Sequence, residues 1–254
     1  MVAAAPGALA LVDWEIALEA AAKALKGGRA YVVANPSLPN EALFLLKKVI
    51  SKTGGEGRYR VEQGAEAPLP GVADLALRAD RAANVRGAEL LGFTRSRPER
   101  SEGPLAGVKQ GDVVVLADVE PGVESRALLA RASAVIVVGT VMPRDITHIT
   151  AILPIANFAE EDGTFTNLRG RAQRFLQAKQ APGLARPSWY VLADLLNAIG
   201  EKAEYFAASA VFDAMAAAET AFGGMSYDSL ALRGAVVMGD GREKGEASQV
   251  GAGR

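Results

Sequence analysis

The chain has 254 residues, half of them apolar and 22% charged, with 28 Lys and Arg against 29 Asp and Glu. That is a globular composition for one large or two small domains, and the net charge of −1 gives no electrostatic case for nucleic-acid or polybasic membrane binding. One His and no Cys exclude disulfides, thiolate nucleophiles, Cys-ligated zinc, Cys-ligated iron–sulfur clusters and multi-His metal sites, which leaves an organic cofactor, carboxylate chemistry or no chemistry.

In chain order, Val2 to Val12 is apolar and small, but no basic residue precedes it and Asp13 stops it, unlike a signal peptide. No apolar run approaches the roughly 18 residues of a membrane span, so a cytoplasmic protein is expected. Asp13 as N-cap and Trp14, Leu18, Ala21, Ala22 and Leu25 at helical spacing predict a helix over 13–26, ended by Gly27-Gly28. Residues 30–34 read as a short apolar strand, followed by Asn35-Pro36-Ser37, and 41–51 as a second helix entered at Pro39 and Asn40. After the break at 54–57, a strand is expected over 58–63. Residues 64–83 show no pattern, and 84–93 suit a short helix or tight loop. Residues 112–117 and 134–138 are continuous apolar runs of the kind buried on both faces, with a helix expected over 121–131 between them. This spacing favours parallel pairing through a right-handed crossover, and 151–154 adds a third strand. The fold class is therefore α/β, a doubly wound, mostly parallel sheet over 1–154.

The character changes after Pro154. Residues 155–186 read as a loop rich in Gly, Thr, Asn and Arg. Helices follow over 189–199, capped by Ser188 and ended by Gly200, and over 207–221 and 227–232. These form a C-terminal segment, 155–235, packed on the same domain, and 236–254 reads as a disordered tail.

Phosphate-binding loops are absent in sequence. Gly239-Asp240-Gly241 lacks the third glycine of a dinucleotide fingerprint, with Lys244 in its place. His148 reads as a surface or helix-end imidazole with no carboxylate partner in sequence, and Glu160-Glu161-Asp162 as a solvated turn. The stretch from Leu153 to Gln173 is different. A buried strand ends in Pro, and a dense set of hydrogen-bonding side chains follows where open α/β sheets bind ligands. A polar loop packed against a neighbouring subunit explains the same residues equally well.

That stretch carries Leu153-Pro154, Glu160, Gly163-Thr164, Asn167, Gly170-Arg171 and Gln173, in the order and spacing of a segment of the molybdopterin oxidoreductases, which it resembles. Asn40-Glu41-Ala42-Leu43, Asn84 to Ala88 with Leu91-Gly92, Arg186 to Trp189, and Tyr227 to Leu230 resemble segments of the large G subunit of respiratory NADH–quinone oxidoreductase, complex I. The resemblance implies a Rossmann-like domain of that family, without the cysteine-rich portion that normally begins the G subunit. It implies a cluster-free, non-catalytic subunit or domain of a complex I-like enzyme, with a structural or assembly role in the peripheral arm. Such a chain would contact the other subunits, lie peripheral to the inner membrane through them without inserting, and need no cofactor. The alternative implied is a molybdopterin-binding oxidoreductase fragment. Glu160, Gly163, Thr164, Thr166, Asn167 and Arg171 would then touch the pterin or its phosphate. No catalytic residue and no metal ligand is assigned.

Overall fold

The computed structural model describes residues 1–5, 8–96, 103–122, 125, 127–144 and 148–238. In chain order its strands are β1 (Val2–Ala5), β2 (Ala8–Ala10), β3 (Ala30–Ala34), β4 (Glu56–Tyr59), β5 (Ala67–Leu69), β6 (Val72–Leu77), β7 (Thr94–Arg95), β8 (Val113–Ala117), β9 (Ala134–Gly139), β10 (Ala151–Pro154), β11 (Gly163–Thr166), β12 (Arg171–Phe175) and β13 (Ala235–Val236). Its α-helices are α1 (Trp14–Gly27), α2 (Asn40–Thr53), α3 (Val85–Leu90), α4 (Ser188–Ala198), α5 (Ala208–Ala218) and α6 (Tyr227–Leu230).

The main sheet runs β2-β1-β10-β9-β8-β3-β4-β7. From β10 to β7 every neighbouring pair is parallel, while β1 and β2 form an antiparallel hairpin against β10. The chain moves outward from β3 to β4 and β7, then returns to the other side of β3 to lay down β8, β9 and β10. The order therefore reverses between β3 and β8.

Continuous apolar runs build the centre because both faces are buried. Ala30, Val32, Ala34, Val113, Val115, Ile136, Val138 and Leu153 point to the face covered by α1, α2 and α4. Tyr31, Val33, Val114, Leu116, Val135, Val137 and Ile152 point to the other, which Leu105, Val108, Leu128 and Leu129 cover. Gly54 ends α2 in the left-handed conformation, φ 62°, where its N–H reaches the carbonyls of Ile50 and Ser51.

Several expectations are corrected. Val2–Ala5 and Ala8–Ala10, where the sequence predicts no element, pair as β1 and β2, with β1 joined to β10 through Val2 and Ala151. The strand expected over 58–63 lies at Glu56–Tyr59, its register fixed by pairing with Tyr31 to Ala34 of β3. The patternless 64–83 contains the antiparallel β5–β6 hairpin, turning at Gly71 (φ 79°). Residues 67–72 of this hairpin are exposed, so no buried face wrote an alternation into that part of the sequence. Of the helix expected over 121–131, the described residues show a 3-10 helix at Ala127–Arg131, while Val123, Glu124 and Arg126 lie outside them. The loop read over 155–186 contains β11 and β12, an antiparallel hairpin whose second strand pairs β13. Ser188 does not cap α4: it is the first helical residue, preceded by Pro187, and Asp13 makes no side-chain cap bond to α1. The helix expected over 207–221 divides into α5 and a 3-10 turn at Thr220–Phe222. At the C-terminal end, Val236 is in β13 and Val237 is buried, while 239–254, with Gly239-Asp240-Gly241, lie outside the described residues. No helix among the described residues is long and apolar enough to cross a membrane.

Candidate functional site

The β11–β12 hairpin carries the sequence's densest motif, and its side chains turn inward. Thr164 and Thr166 are fully buried. The Thr164 amide donates to Glu41 Oε2 at 2.9 Å, and its hydroxyl donates to Glu41 Oε1 at 3.0 Å. Asn40 Nδ2 donates to both threonine hydroxyls, at 3.0 and 3.1 Å. The Thr166 amide donates to Asn84 Oδ1 at 2.7 Å, and the Tyr227 hydroxyl to Glu41 Oε1 at 2.7 Å. One clamp thus joins the first turn of α2, the residue ahead of α3, the hairpin and α6. Gly87 is the close approach that allows it: a Cβ there would lie 2.1 Å from Asn40 Oδ1 and 2.2 Å from Asn84 Oδ1. Burial pushes the Glu41 carboxyl up to about 7, against the lowering effect of its bonds from Tyr227 and Thr164. The Tyr227 hydroxyl is raised by burial first and by Glu41 second.

The remaining motif residues shape the hairpin. Gly163 leaves room for Pro39 and Phe175, each within 2.8 Å of where its Cβ would be. Asn167 Oδ1 accepts from the amides of Arg169 and Arg171, and Gly170 closes the turn at φ 71°. Arg171 Nη1 donates to the Gly234 carbonyl at 3.1 Å, beside β13. Glu160 stands apart from the clamp. It accepts from the Asn157 amide and pairs with Lys179 at 2.9 Å, and the Lys179 bond holds its carboxyl below the usual range.

The solvated turn expected at Glu160 to Asp162 is corrected: Glu160 is 4% exposed and Glu161 2%. Glu161 replaces Ser188 as the group serving the α4 N-terminus. Its carboxylate accepts from the Ser188 amide at 2.7 Å and from the Ser188 hydroxyl at 2.8 Å. Burial pushes Glu161 up to about 8, with Glu41 and Asp118 adding to the rise. His148 is exposed, with Nε2 2.9 Å from the Leu129 carbonyl.

A second polar cluster stays open. At the carboxyl ends of β3, β4 and β8, where the strand order reverses, a cavity of about 500 Å³ has as its polar lining Asn35, Ser37, Arg60, Glu62, Arg81, Asp118 and Glu120. Asn35 Oδ1 accepts from the Ser37 amide, and Asn35 Nδ2 donates to the Asp118 carbonyl at 3.1 Å. Asp118 is held at φ 54°, a conformation uncommon for a residue with a side chain. Its Oδ1 accepts from the Thr140 amide at 2.9 Å and hydroxyl at 2.7 Å, and its Oδ2 has no hydrogen-bond partner among the described residues. Arg60 Nη1 donates to the Glu120 carbonyl, and Arg81 Nη2 to the Ala65 carbonyl. Among the described residues no group of three or more His, Cys, Asp or Glu is placed to hold a metal.

The two clusters are connected. Asn84 Nδ2 donates to the Leu38 carbonyl and the Asn84 amide to the Pro36 carbonyl, both at 2.9 Å. The clamp therefore grips the backbone of the loop that carries Asn35 and Ser37 into the cleft. Of the six residues expected to touch a cofactor, the structure gathers Thr164 and Thr166 in the clamp. It leaves Glu160 in a separate ion pair and Asn167 and Arg171 at the hairpin's far end. Sequence reasoning missed the cleft residues. Their signal was position alone: Asn35 and Asp118 each directly follow a buried strand.

Residues 123–198 match the model of the molybdopterin oxidoreductase family. Over 85 residues the chain is 42% identical to the F420-dependent formate dehydrogenase 2 subunit alpha of Methanococcus maripaludis, covering 33% of this chain and 13% of that protein. It is 34% identical over 89 residues to a protein of Bacillus subtilis and over 84 residues to one of Staphylococcus aureus, both with formate dehydrogenase names. These alignments cover 35% and 33% of this chain and 9% and 8% of those proteins. The matched part is thus about a tenth of each relative. All three carry formate dehydrogenase names, where the sequence resemblance pointed to a complex I G subunit.

Proposed function

We propose that this chain, with its molybdopterin oxidoreductase family segment at 123–198, supplies a Rossmann-like wall of a pterin cofactor site in an oxidoreductase. The observation that carries the reading is the open cleft at the point of strand reversal. Ligands of open α/β sheets bind outside the carboxyl ends of the strands at such a switch point. The six parallel strands, taken in chain order, lie in the spatial order third, second, first, fourth, fifth, sixth, as in dinucleotide-binding sheets.

The residues present fit the organic part of such a cofactor. A pterin offers a polar edge of ring N–H donors and carbonyl acceptors, and its side chain carries a phosphate. Asp118 Oδ2 suits the N–H donors, Asn35 and Ser37 suit an edge that both donates and accepts, and Arg60 and Arg81 suit the phosphate. When bound, the group supplies two-electron redox chemistry at its metal, and we assign no residue of this chain as a ligand to that metal. The protein's part is to bind and orient. Thr140 fixes the Asp118 carboxylate, and the clamp fixes the Asn35 to Leu38 loop. Thr164 and Thr166 are then positioning residues acting through Asn40 and Asn84. Gly163, Asn167 and Arg171 shape the hairpin that presents them, and Glu160 anchors the segment leading into it.

The test is to produce the full chain in a host replete in molybdenum cofactor and measure bound pterin by its fluorescence after oxidative release. Near-stoichiometric pterin, lost in Asp118→Ala and Arg60→Ala variants that remain folded, is the expected result. A pterin-free chain overturns the reading. It would favour a second one, motivated by the absence of Cys and by hydroxyls at Thr164 and Thr166 already satisfied internally. In that reading the chain is a cluster-free structural unit of a complex I-like assembly, peripheral to the membrane through its partner subunits. Co-purification of such subunits from native membranes is its readout.

A further inference from the structure

Beyond the polar cleft, the carboxyl edge of the sheet continues into an apolar concavity. Thr140, whose amide and hydroxyl hold Asp118 of the cleft, is among its walls. The concavity encloses about 330 Å³. Its walls come from Leu11, Trp14, Val141, Met142, Ile152 and Leu184, contributed by the lead into α1, the ends of β9 and β10, and the segment before α4. Leu11 is 77% exposed, Val141 75% and Leu184 62%, so large apolar side chains form the mouth.

The walls are fixed. Trp14 Nε1 donates to the Leu184 carbonyl at 3.2 Å, and the Arg186 guanidinium lies over the Trp14 ring, 4.5 Å from its centroid. The Ile152 amide donates to the Met1 carbonyl at 2.8 Å, pinning β1 beneath. The size falls within the range of small-molecule pockets, and the walls converge from several elements where a protein-docking face would be flat. Among the described lining residues no side chain is charged, and the one terminal charge is the Met1 α-ammonium. The nearby cation, Arg186, is engaged by Trp14 and Asp194.

We propose that this concavity binds an uncharged, mostly hydrocarbon small molecule, with the Trp14 indole and the Met142 thioether as its main contact surfaces. The Met1 α-ammonium at the wall is turned to the Ile152 carbonyl at 3.0 Å and burial disfavours its charge, so a neutral ring or branched chain fits better than a fatty-acid carboxylate. This site does not depend on the cleft holding a pterin.

The experiment is a fluorescence titration of the full chain with N-phenyl-1-naphthylamine, a neutral aromatic that brightens in apolar surroundings, with dodecanoate as the anionic comparator. One saturable site is expected, weakened at least about tenfold by Met142→Lys and by Leu184→Lys, with dodecanoate competing poorly. Both residues are more than half exposed, so the variants keep the fold, which circular dichroism checks. Probe binding without saturation, or equal in the variants, overturns the proposal. So does a dimer in sedimentation equilibrium that Met142→Lys dissociates, since the concavity is then an interface between copies. Arg81→Ala separates this from the cofactor reading: it removes a cation from the far wall of the cleft and leaves probe binding intact.

Discussion

The clamp and the cleft are made of the same materials and end in opposite states. Each sets a carboxylate among amides and hydroxyls. In the clamp, Glu41 meets Thr164 and Tyr227, Asn40 and Asn84 complete the set, and the polar atoms satisfy one another. In the cleft, Asp118 spends one oxygen on Thr140, and its other oxygen has no partner among the described residues. A polar cluster whose donors and acceptors balance internally is a fastening, whereas one with an uncommitted group facing solvent is available to a ligand. The comparison also explains how a dense motif can serve a site without touching it, since the clamp holds the loop that carries Asn35.

The comparison predicts that stability resides in the clamp and binding in the cleft. The largest expected effect is a pH dependence. Glu41 and Glu161 have carboxyls raised from 4.5 to about 7 and about 8. The folded chain therefore keeps protons that the unfolded chain has released. Their stabilising contribution is complete below about 4.5 and is lost as pH rises through 7 and 8, on the order of 5 kcal/mol in all between about pH 5 and 8. Urea midpoints across that range should fall with pH, and Glu161→Gln should flatten the slope. A midpoint that rises from pH 5 to 8 would show that the Glu41 and Glu161 carboxyls are solvated.

Next is Glu41→Ala, which strands the Thr164 amide, the Thr164 hydroxyl and the Tyr227 hydroxyl without an acceptor. A loss of roughly 3–5 kcal/mol in urea unfolding is expected. Gly87→Ala drives a methyl against the Asn40 and Asn84 amide oxygens and should cost about 2–3 kcal/mol. The smallest stability effect belongs to the cleft. Asp118→Asn keeps an acceptor for Thr140 and tolerates the positive φ, so unfolding should shift by no more than about 0.5 kcal/mol. The same variant should lower pterin retention about tenfold or more. A clamp variant that binds normally but unfolds early, beside a cleft variant that does the reverse, would sharpen the division, and equal effects in both would break it.

Legibility differed along the same line. The segments at 112–117 and 134–138 were readable because a strand buried on both faces must be continuously apolar. The β5–β6 and β11–β12 hairpins were not. The first is exposed over 67–72, and the second alternates Thr and Phe around polar partners that lie elsewhere in the chain. Glu160 and Glu161 looked solvated because three adjacent acids usually are, and the reach of Ser188 and Lys179 toward them is a tertiary matter. The resemblance quoted Asn40-Glu41, Asn84 and Tyr227 without a role for any of them, and the structure shows them to be the motif's partners.

By itself the sequence determined the α/β class, the parallel strands and the absence of cysteine chemistry. These follow from composition and from burial patterns a few residues long. Only the tertiary structure decided which polar residues are fastenings and which are open. Glu41 and Thr164 lie 123 residues apart and Glu41 and Tyr227 lie 186 apart, so no local pattern encodes their bonds. Whether a side chain is satisfied depends on what the fold brings beside it.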